Sequence, residues 1–118
     1  MATSQIKGHI RSGKVLWTGT WSSGSITVPN TEDYLAYLIT LKDQAIIAIR
    51  DEANQNIRGM MTAPTSANQW IRSFVCNYSG NTWSSMIGYE LAHSTTGAHS
   101  GKADGAVTKI VGLVPVGI

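Results

Sequence analysis

Four tryptophans stand out among the residues that could do chemistry, because the 118-residue chain has only one phenylalanine. Flat aromatic rings stack on the C–H faces of sugars, and a few directed hydrogen bonds then fix the ligand. Trp17, Trp70 and Trp83 fall on apolar faces of alternating segments, so we expect them to fill the core. Trp21 stands beside the turn Ser22-Ser23-Gly24, and the sequence is equally compatible with its ring being exposed or lying in the core.

Polar loops supply the other candidate ligand-binding side chains. We choose them by expected exposure and by hydrogen-bonding capacity. Besides the first turn, they include the turn around 78–81 and the segment His93–Gly105, which has no large apolar residue and is expected to be an exposed mobile loop. The candidate ligand-binding residues are Trp21, Ser22, Ser23, Tyr78, Asn81, His93, His99, Lys102 and Asp104.

The same loop contains the side chains that a metal site would need. His93 and His99 could combine with Asp104 or Glu90, but a six-residue spacing in a Gly-Ser-rich loop gives no preorganised geometry. We interpret His93 and His99 as polar loop residues or as part of a pH-sensitive contact, so we predict neither a metal nor a cofactor.

Enzymatic signatures are missing from the sequence. There is no GxSxG nucleophile motif, and the acidic residues lie mostly at expected turns rather than as a pair across a cleft. We therefore expect no catalytic residue.

Charge and cysteine content exclude several classes of protein. The net charge is +2 and the nine Lys and Arg residues form no cluster, which argues against nucleic-acid binding. No apolar run approaches the ~20 residues of a membrane helix, and the N-terminus lacks the apolar core of a signal peptide. We therefore expect that the protein does not insert into a membrane and that it is made in a cytosol. Cys76 is the one cysteine in the sequence, and we expect it to lie buried on a strand, where it acts as a small apolar side chain.

Alternating side chains predict an all-β chain of eight antiparallel strands. The opening segment Lys14–Pro29 is typical of two strands joined as a hairpin, with Val15, Trp17 and Trp21 on one face and Leu16 on the other. The other six strands are expected at Tyr34–Lys42, Ala45–Arg50, Ile57–Ala63, Gln69–Tyr78, Asn81–Ala92 and Ala106–Val116.

One segment leaves an alternative open. Leu and Ala also favour a helix over Tyr34–Asn54, but the β-branched residues that follow the dipeptide Asp43-Gln44 favour a hairpin.

Eight strands in this length suit a jelly-roll-type β-sandwich. We expect residues 1–13 to form an arm or linker and residues 14–118 to form a single domain. Only 14% of the residues are charged, which suits a subunit that hides part of its surface in an oligomer. The segment Tyr34–Ile49 has an apolar second face, which is expected to lie between subunits. The predicted interface residues are Leu35, Tyr37, Ile39, Ile47 and Ile49.

Two stretches resemble a known family. Val15–Pro29 (VLWTGTWSSGSITVP) is similar to the LWSG…GTITL start of small β-sandwich domains in bacteriophage tail, baseplate and fibre proteins, and Val107–Val114 (VTKIVGLV) resembles the ITKIYG strand that often closes them. Tyr34-Leu35 stands where these domains commonly have a Tyr-Leu or Tyr-Asp pair. The chain departs from the pattern at Val111, where an aromatic residue is frequent.

The resemblance implies a homotrimeric tip or head domain of a virion tail fibre or baseplate, which binds a host-surface glycan or protein alongside other virion tail proteins. Such a domain is made in the host cytoplasm and located in the virion tail. Two alternatives stay open at this point. One is a structural module for trimerisation or decoration without a ligand, and the other is a free-standing lectin-like module, which would be a monomer with an exposed Trp pair.

Overall fold

The computed structural model describes residues 13–42, 44–64, 68–94, 99–103 and 105–117, and within these ranges the chain is all-β. A 3₁₀ turn at Thr31–Asp33 is the only helical element there, and no described helix is long and apolar enough to cross a lipid bilayer. Of the predicted arm, all but Gly13 lies outside the described residues. The strands are β1 (Lys14–Trp21), β2 (Ser25–Thr27), β3 (Tyr34–Leu41), β4 (Gln44–Asp51), β5 (Asn56–Pro64), β6 (Asn68–Ser79), β7 (Thr82–Ser94), β8 (His99–Ala103) and β9 (Val107–Pro115).

These strands form one antiparallel sheet in the order β1-β9-β3-β4-β5-β6-β7-β2, with β8 paired to the free side of β7. The first and last strands of this order are separated by only three residues in sequence, so the sheet curls until it is nearly closed. Rings from distant strands consequently meet across the core. Tyr37 on β3 lies 5.1 Å from Trp83 on β7, and Trp21 on β1 lies 6.3 Å from Phe74 on β6, measured between ring centroids.

The eight predicted strands are present, and the 34–51 segment is a β3–β4 hairpin rather than a helix. The prediction of a loop over His93–Gly105 is wrong in part, because His99–Ala103 pairs with β7 as a ninth strand. This strand (HSGKA) is rich in small and polar residues and has no apolar alternation. Its pairing satisfies backbone groups along β7, and sequence periodicity does not report that contribution.

The prediction that Lys14–Pro29 forms a paired hairpin is also wrong. β1 pairs with β9 and β2 pairs with β7, so the two strands separate after their turn and form the two edges of the sheet. The reversal is held by a side chain instead of a strand ladder: the Trp21 indole N–H donates to the Gly24 carbonyl at 3.2 Å, and Gly24 has a positive φ of 72°.

Bulges explain why several side chains face the opposite way from a simple alternation. β1 carries one extra residue between Val15 and Trp17 and another between Thr18 and Trp21. Leu16 and Trp21 are therefore both in the core, whereas Val15 is exposed. A single inserted residue exchanges the two faces of every position that follows it.

A bulge also changes which side chains of β7 face the core. Its register with β6 slips between Val75 and Asn77, and Ser85 at the slip has a φ of 55°. Trp83, before the slip, is fully buried, while Ile87, after it, is exposed. This change of face produces part of the outer surface described below.

A buried polar network closes one end of the core. Trp83 Nε1 donates to Thr31 Oγ1 at 2.9 Å, and this hydroxyl in turn donates to the Val28 carbonyl at 2.6 Å. The Tyr37 hydroxyl donates to the Thr31 carbonyl, and burial raises the pKa of Tyr37. Every polar group in this network therefore has a partner, as burial requires.

Candidate receptor-binding surface

Two of the candidate ligand-binding rings are not on the surface. Trp21 is 1% exposed and Tyr78 is 3% exposed, so neither can offer its face to a sugar. Of the two arrangements that the sequence left open for Trp21, the structure has the core ring, which packs edge-on against Phe74 and Trp83. The Tyr78 ring packs in the hydrophobic core, and its hydroxyl accepts a hydrogen bond from Arg50 Nη1 at 3.1 Å. The expectation that Tyr78 offers an accessible ring at a loop end is therefore wrong.

The other tryptophans are placed as follows. Trp83 is in the core, as predicted. Trp17 is half-buried and packs against the core, with its six-membered ring over the backbone of Gly19. A Cβ atom at Gly19 would lie 2.7 Å from Trp17 Cζ2, so the glycine provides the room for this ring. The side chain of Trp70 lies outside the described residues.

The first turn does present hydroxyl groups to solvent. Ser22 and Ser23 are exposed above the buried Trp21. Antiparallel pairing of β2 with β7 then sets Ser25 opposite Ser84. With the exposed Ser85, these residues form the serine patch: Ser22, Ser23, Ser25, Ser84 and Ser85. Hydroxyl groups both donate and accept hydrogen bonds, which is the chemistry that polyhydroxylated ligands match.

Asn81 is exposed, but its polar groups are already used within the fold. Its side-chain Oδ1 accepts a hydrogen bond from the Thr31 backbone N–H at 3.2 Å, and its carbonyl accepts one from Val28 N–H at 2.7 Å. Asn81 thus fastens the β6–β7 turn to the segment before β3. This role leaves its amide NH₂ as the group that could donate to a ligand.

The remaining candidates belong to the β7–β8 region. In the backbone register His93 is paired with His99, and Glu90 is paired with Lys102. Their side chains, and all of Asp104, lie outside the described residues. Among the side chains that the structure does describe, no three His, Cys, Asp or Glu residues are grouped to hold a metal ion.

The predicted interface residues divide between the two faces of the sheet. Leu35, Ile47 and Ile49 are exposed, the latter two by 59% and 62%. Tyr37 and Ile39 are fully buried and face the core, so their prediction as interface residues is wrong. From Tyr37 onward, alternation sends 37, 39 and 41 inward, whereas Leu35 lies before the register irregularities of β3 at Tyr34/Ala36 and Ala36/Tyr37 and is exposed.

The exposed isoleucines belong to a larger apolar surface on the outside of the sheet, which we call the outer band. Cross-strand pairing builds it as two parallel rows. The first row has two parts: Val15, Val111, Leu38 and Ile47 are paired from β1 to β4, and Met60, Ser73 and Tyr89 are paired from β5 to β7. The second row runs from β9 to β7 through Val114, Ala36, Ile49, Arg58, Val75 and Ile87, and Ala36 is buried within it.

Sequence reasoning found only the β3–β4 part of this band. Met60, Ile87 and Tyr89 were missed, although they are exposed by 67%, 55% and 40%. The usable signal was that β5, β6 and β7 also carry apolar residues at both odd and even positions. The bulge at Ser85 concealed which of them turn outward.

The outer band carries almost no charge. Arg58 is its one ionised side chain in the two rows, and Arg58 Nη2 is ion-paired with Asp51 Oδ2 at 2.8 Å. A shallow cleft of about 280 Å³ interrupts the band between β5 and β6. It is lined by Arg58, Gly59, Met60, Ser73, Phe74 and Val75.

Comparison with known proteins adds no assignment. No family model, no curated protein and no solved structure matches this chain.

Proposed function

We propose that this chain is a non-enzymatic virion domain of a bacteriophage tail fibre or baseplate, which binds a host-surface receptor as a homotrimer. A saccharide is the favoured receptor class. The protein acts in the virion tail, beside other tail proteins, after synthesis in the host cytoplasm, and it needs no cofactor.

One observation supports the virion assignment most directly. Two segments carry the resemblance, 15–29 and 107–114, and the β1 part of the first is adjacent in space to the second, although the two are far apart in sequence; the β2 part pairs with β7 instead. β1 pairs with β9, with Trp17 opposite Ile110 and Thr18 opposite Lys109. β1 and β9 thus form one structural unit at the edge where the sheet turns back on itself, which is the arrangement expected if the opening and closing strands belong to one domain pattern. The facing of β3 and β7 across the core is compatible with the two layers of a jelly roll.

The receptor site that we propose is the serine patch. It is uncharged and rich in hydroxyl groups, and all of its serines except the half-buried Ser84 are exposed. Ser22 and Ser23 lie on a turn whose backbone is fixed by the Trp21–Gly24 hydrogen bond. A fixed turn loses little conformational entropy when it binds. Since Trp21 lies beneath this surface, we assign it the task of holding the turn, and the hydroxyl groups the contact with the ligand.

The test replaces Ser22 and Ser23 together with alanine. Both side chains are exposed and make no hydrogen bond that the fold requires, so we expect unchanged circular dichroism and unchanged thermal unfolding. Binding to host cells, and to the positive spots of a glycan array, should fall at least tenfold. Ser79→Ala, which changes an exposed serine at the end of β6, is the matched control and should bind like the parent chain.

A second candidate function is a structural module that trimerises or decorates the virion without a ligand. The burial of Trp21 and Tyr78 favours it, because the two rings chosen for sugar stacking are unavailable. If the parent chain binds neither host cells nor any glycan, this candidate replaces the first. If it binds and the Ser22/Ser23 variant binds equally well, a receptor is present but the serine patch is not its site.

A further inference from the structure

We propose that the inward face of a sheet extension binds a neutral oligosaccharide, with one sugar ring stacked on Trp70. The extension is the part of β5–β8 that continues past the core, at residues 60–64, 68–73, 89–94 and 99–103. This inference rests on the proposed function for the receptor being a saccharide. It adds the class of saccharide and a contact site separate from the serine patch.

The layer opposite these strands ends at one row of paired residues. Trp21, the last residue of β1, is paired with Val107 of β9. Val107 is in turn paired with Leu41 of β3, and Leu41 with Gln44, the first residue of β4. The Trp21 ring packs against Phe74 of β6 at 6.3 Å between ring centroids. Phe74 therefore marks the last row of β6 that faces a strand of the opposite layer.

β6 continues beyond this row. From Phe74 to position 70 the strand runs four residues, about 14 Å. Arg72 and Phe74 are 6% and 1% exposed, so the even-numbered positions face inward. Pairing with β5 and β7 is regular from 68 to 75, which puts Trp70 on the same face of β6 as Arg72. Pairing between β4 and β5 stops at Gly59, so β4 does not follow β5 into the extension.

Strand pairing places two rows of residues on the inward face of the extension. The near row is Met61, Arg72, Glu90 and Lys102, and the far row is Ala63, Trp70, Ala92 and Ser100. Trp70 thus has an alanine opposite it on each neighbouring strand, and alanine is too small to act as a bulky cross-strand partner. A flat ring with small neighbours is the group on which a sugar stacks through its C–H face.

The near row supplies hydrogen-bonding groups next to this ring position. In the pairing order, the carboxylate residue Glu90 stands between two cationic residues, Arg72 and Lys102. Guanidinium and ammonium groups donate hydrogen bonds and a carboxylate accepts them, whereas a sugar hydroxyl can do both. Successive rows on one face are about 7 Å apart, so an oligosaccharide stacked in the far row can also reach the near row.

The mixture of charges in the near row decides the class of ligand. An apolar protein surface would take three charged side chains out of water without replacing their hydrogen bonds, which is costly. The carboxylate of Glu90 would repel the phosphates of a nucleic acid and the carboxylate of an acidic sugar. Neutral sugar hydroxyls satisfy donors and acceptors alike. The row therefore favours a neutral oligosaccharide.

The extension begins beside the serine patch. Trp21 belongs to the row where the opposite layer ends, and Ser22 and Ser23 follow it directly in the chain. An oligosaccharide held by these hydroxyl groups can therefore continue along the inward face toward Trp70. The two contacts involve different strands, so each can be changed without the other.

The first experiment tests whether the Trp70 ring is accessible, and it needs no ligand. Acrylamide quenching of tryptophan fluorescence is measured in the parent chain and in Trp70→Phe. Trp21 and Trp83 are buried, so Trp70→Phe should at least halve the quenchable emission and leave thermal unfolding unchanged. Trp17→Phe, which removes the half-buried ring on β1, should remove less. Unchanged quenching in Trp70→Phe, or a lower unfolding temperature, would place the ring in the core and overturn the proposal.

The second experiment measures binding to an array of neutral and acidic oligosaccharides. Trp70→Ala should bind the neutral spots at least tenfold more weakly than the parent chain, and Trp70→Phe should retain part of the binding because a phenyl ring still stacks. Ile71→Ala, on the opposite face of β6, is the matched control and should bind like the parent chain.

Four results of the array experiment would overturn the proposal. They are a parent chain that binds no spot, binding confined to acidic spots, equal binding by the parent chain and Trp70→Ala, and a Trp70→Ala variant that does not fold. The last result would show that the ring is part of the core.

Failure of this inference is distinguishable from failure of the proposed function. Receptor binding is read separately, from host cells, with the Ser22/Ser23 variant and its Ser79 control. A parent chain that binds host cells equally well with and without the Trp70 ring retains receptor binding and rejects the Trp70 site. A parent chain that binds neither host cells nor glycans rejects both.

Discussion

Trp83 and Thr31 are joined across the closed end of the core by a hydrogen bond from Trp83 Nε1 to Thr31 Oγ1, with both side chains at 0% exposure. The two residues are 52 positions apart in sequence. Their contact links β7 to the segment before β3, and it provides the indole N–H with the partner that a buried donor requires.

Thr31→Val should destabilise the protein by about 1–3 kcal/mol, because it leaves the Trp83 N–H buried without an acceptor. Thr31→Ser keeps the hydroxyl and should cost clearly less. Thr27→Val, at an exposed position, is the surface control. Urea unfolding followed by tryptophan fluorescence measures all three. Equal stability of the valine and serine variants would contradict the role of the hydroxyl.

Arg50 gives the second prediction. Its Nε donates to the Tyr34 carbonyl at 2.9 Å and its Nη1 donates to the Tyr78 hydroxyl at 3.1 Å. A lysine amine cannot reproduce this fork, so Arg50→Lys should cost about 1.5–3 kcal/mol of unfolding free energy. Arg58→Lys is the matched control: its side chain is 60% exposed, and we expect a loss of at most about 1 kcal/mol. A smaller loss at Arg50 than at Arg58 would refute the assignment.

Strand positions and core composition could be predicted from the sequence, whereas the connectivity of the sheet could not. The alternation in 34–51 and 69–92 located two hairpins, because buried faces there repeat every second residue. The opening segment has the same signal, but its strands pair with β9 and β7. Pairing partners far apart in sequence depend on how the whole sheet closes, and local propensity does not encode this.

The candidate site shows the same division. Ser22 and Ser23 are exposed, as a turn position predicts. Trp21 is adjacent to them and buried, because a bulge rotates it inward. A bulge depends on one inserted residue and has no compositional signature in β1. For the same reason, the outward turn of Ile87 and Tyr89 after Ser85 could not be read from the sequence.

Asp51 gives a prediction for pH. The Asn54 side chain donates to its Oδ2 at 2.8 Å and the Asn54 backbone N–H donates to its Oδ1 at 3.2 Å, and these bonds, with Arg58, hold the pKa of Asp51 below its usual 3.8. A depressed folded-state pKa contributes stability above the unfolded pKa, and this is lost as the pH falls through the folded value. Asp51→Asn should therefore lower stability at pH 7, and the difference should vanish below the folded-state pKa.

The carboxylate of Asp51 can be titrated directly by ¹³C NMR. Its midpoint should lie below 3.8 in the parent chain and move upward in Asn54→Ala, which removes the side-chain donor. A midpoint at or above 3.8 in the parent chain would show that the turn does not stabilise the ionised form.

Cys76 gives the last prediction, because it reports on opening of the core. It is 1% exposed on β6, and burial raises the pKa of its thiol to about 12. The thiolate is the reactive form, so the native protein at pH 8 should resist a disulfide reagent such as Ellman's reagent. Unfolding in urea should expose the thiol, and labelling should then be complete. Ser79→Cys, at the exposed end of β6, is the control: it should gain one fast-reacting thiol and leave Cys76 protected. Fast labelling of the native parent chain would mean that β6 separates from its neighbours without global unfolding, which the paired and buried core does not allow.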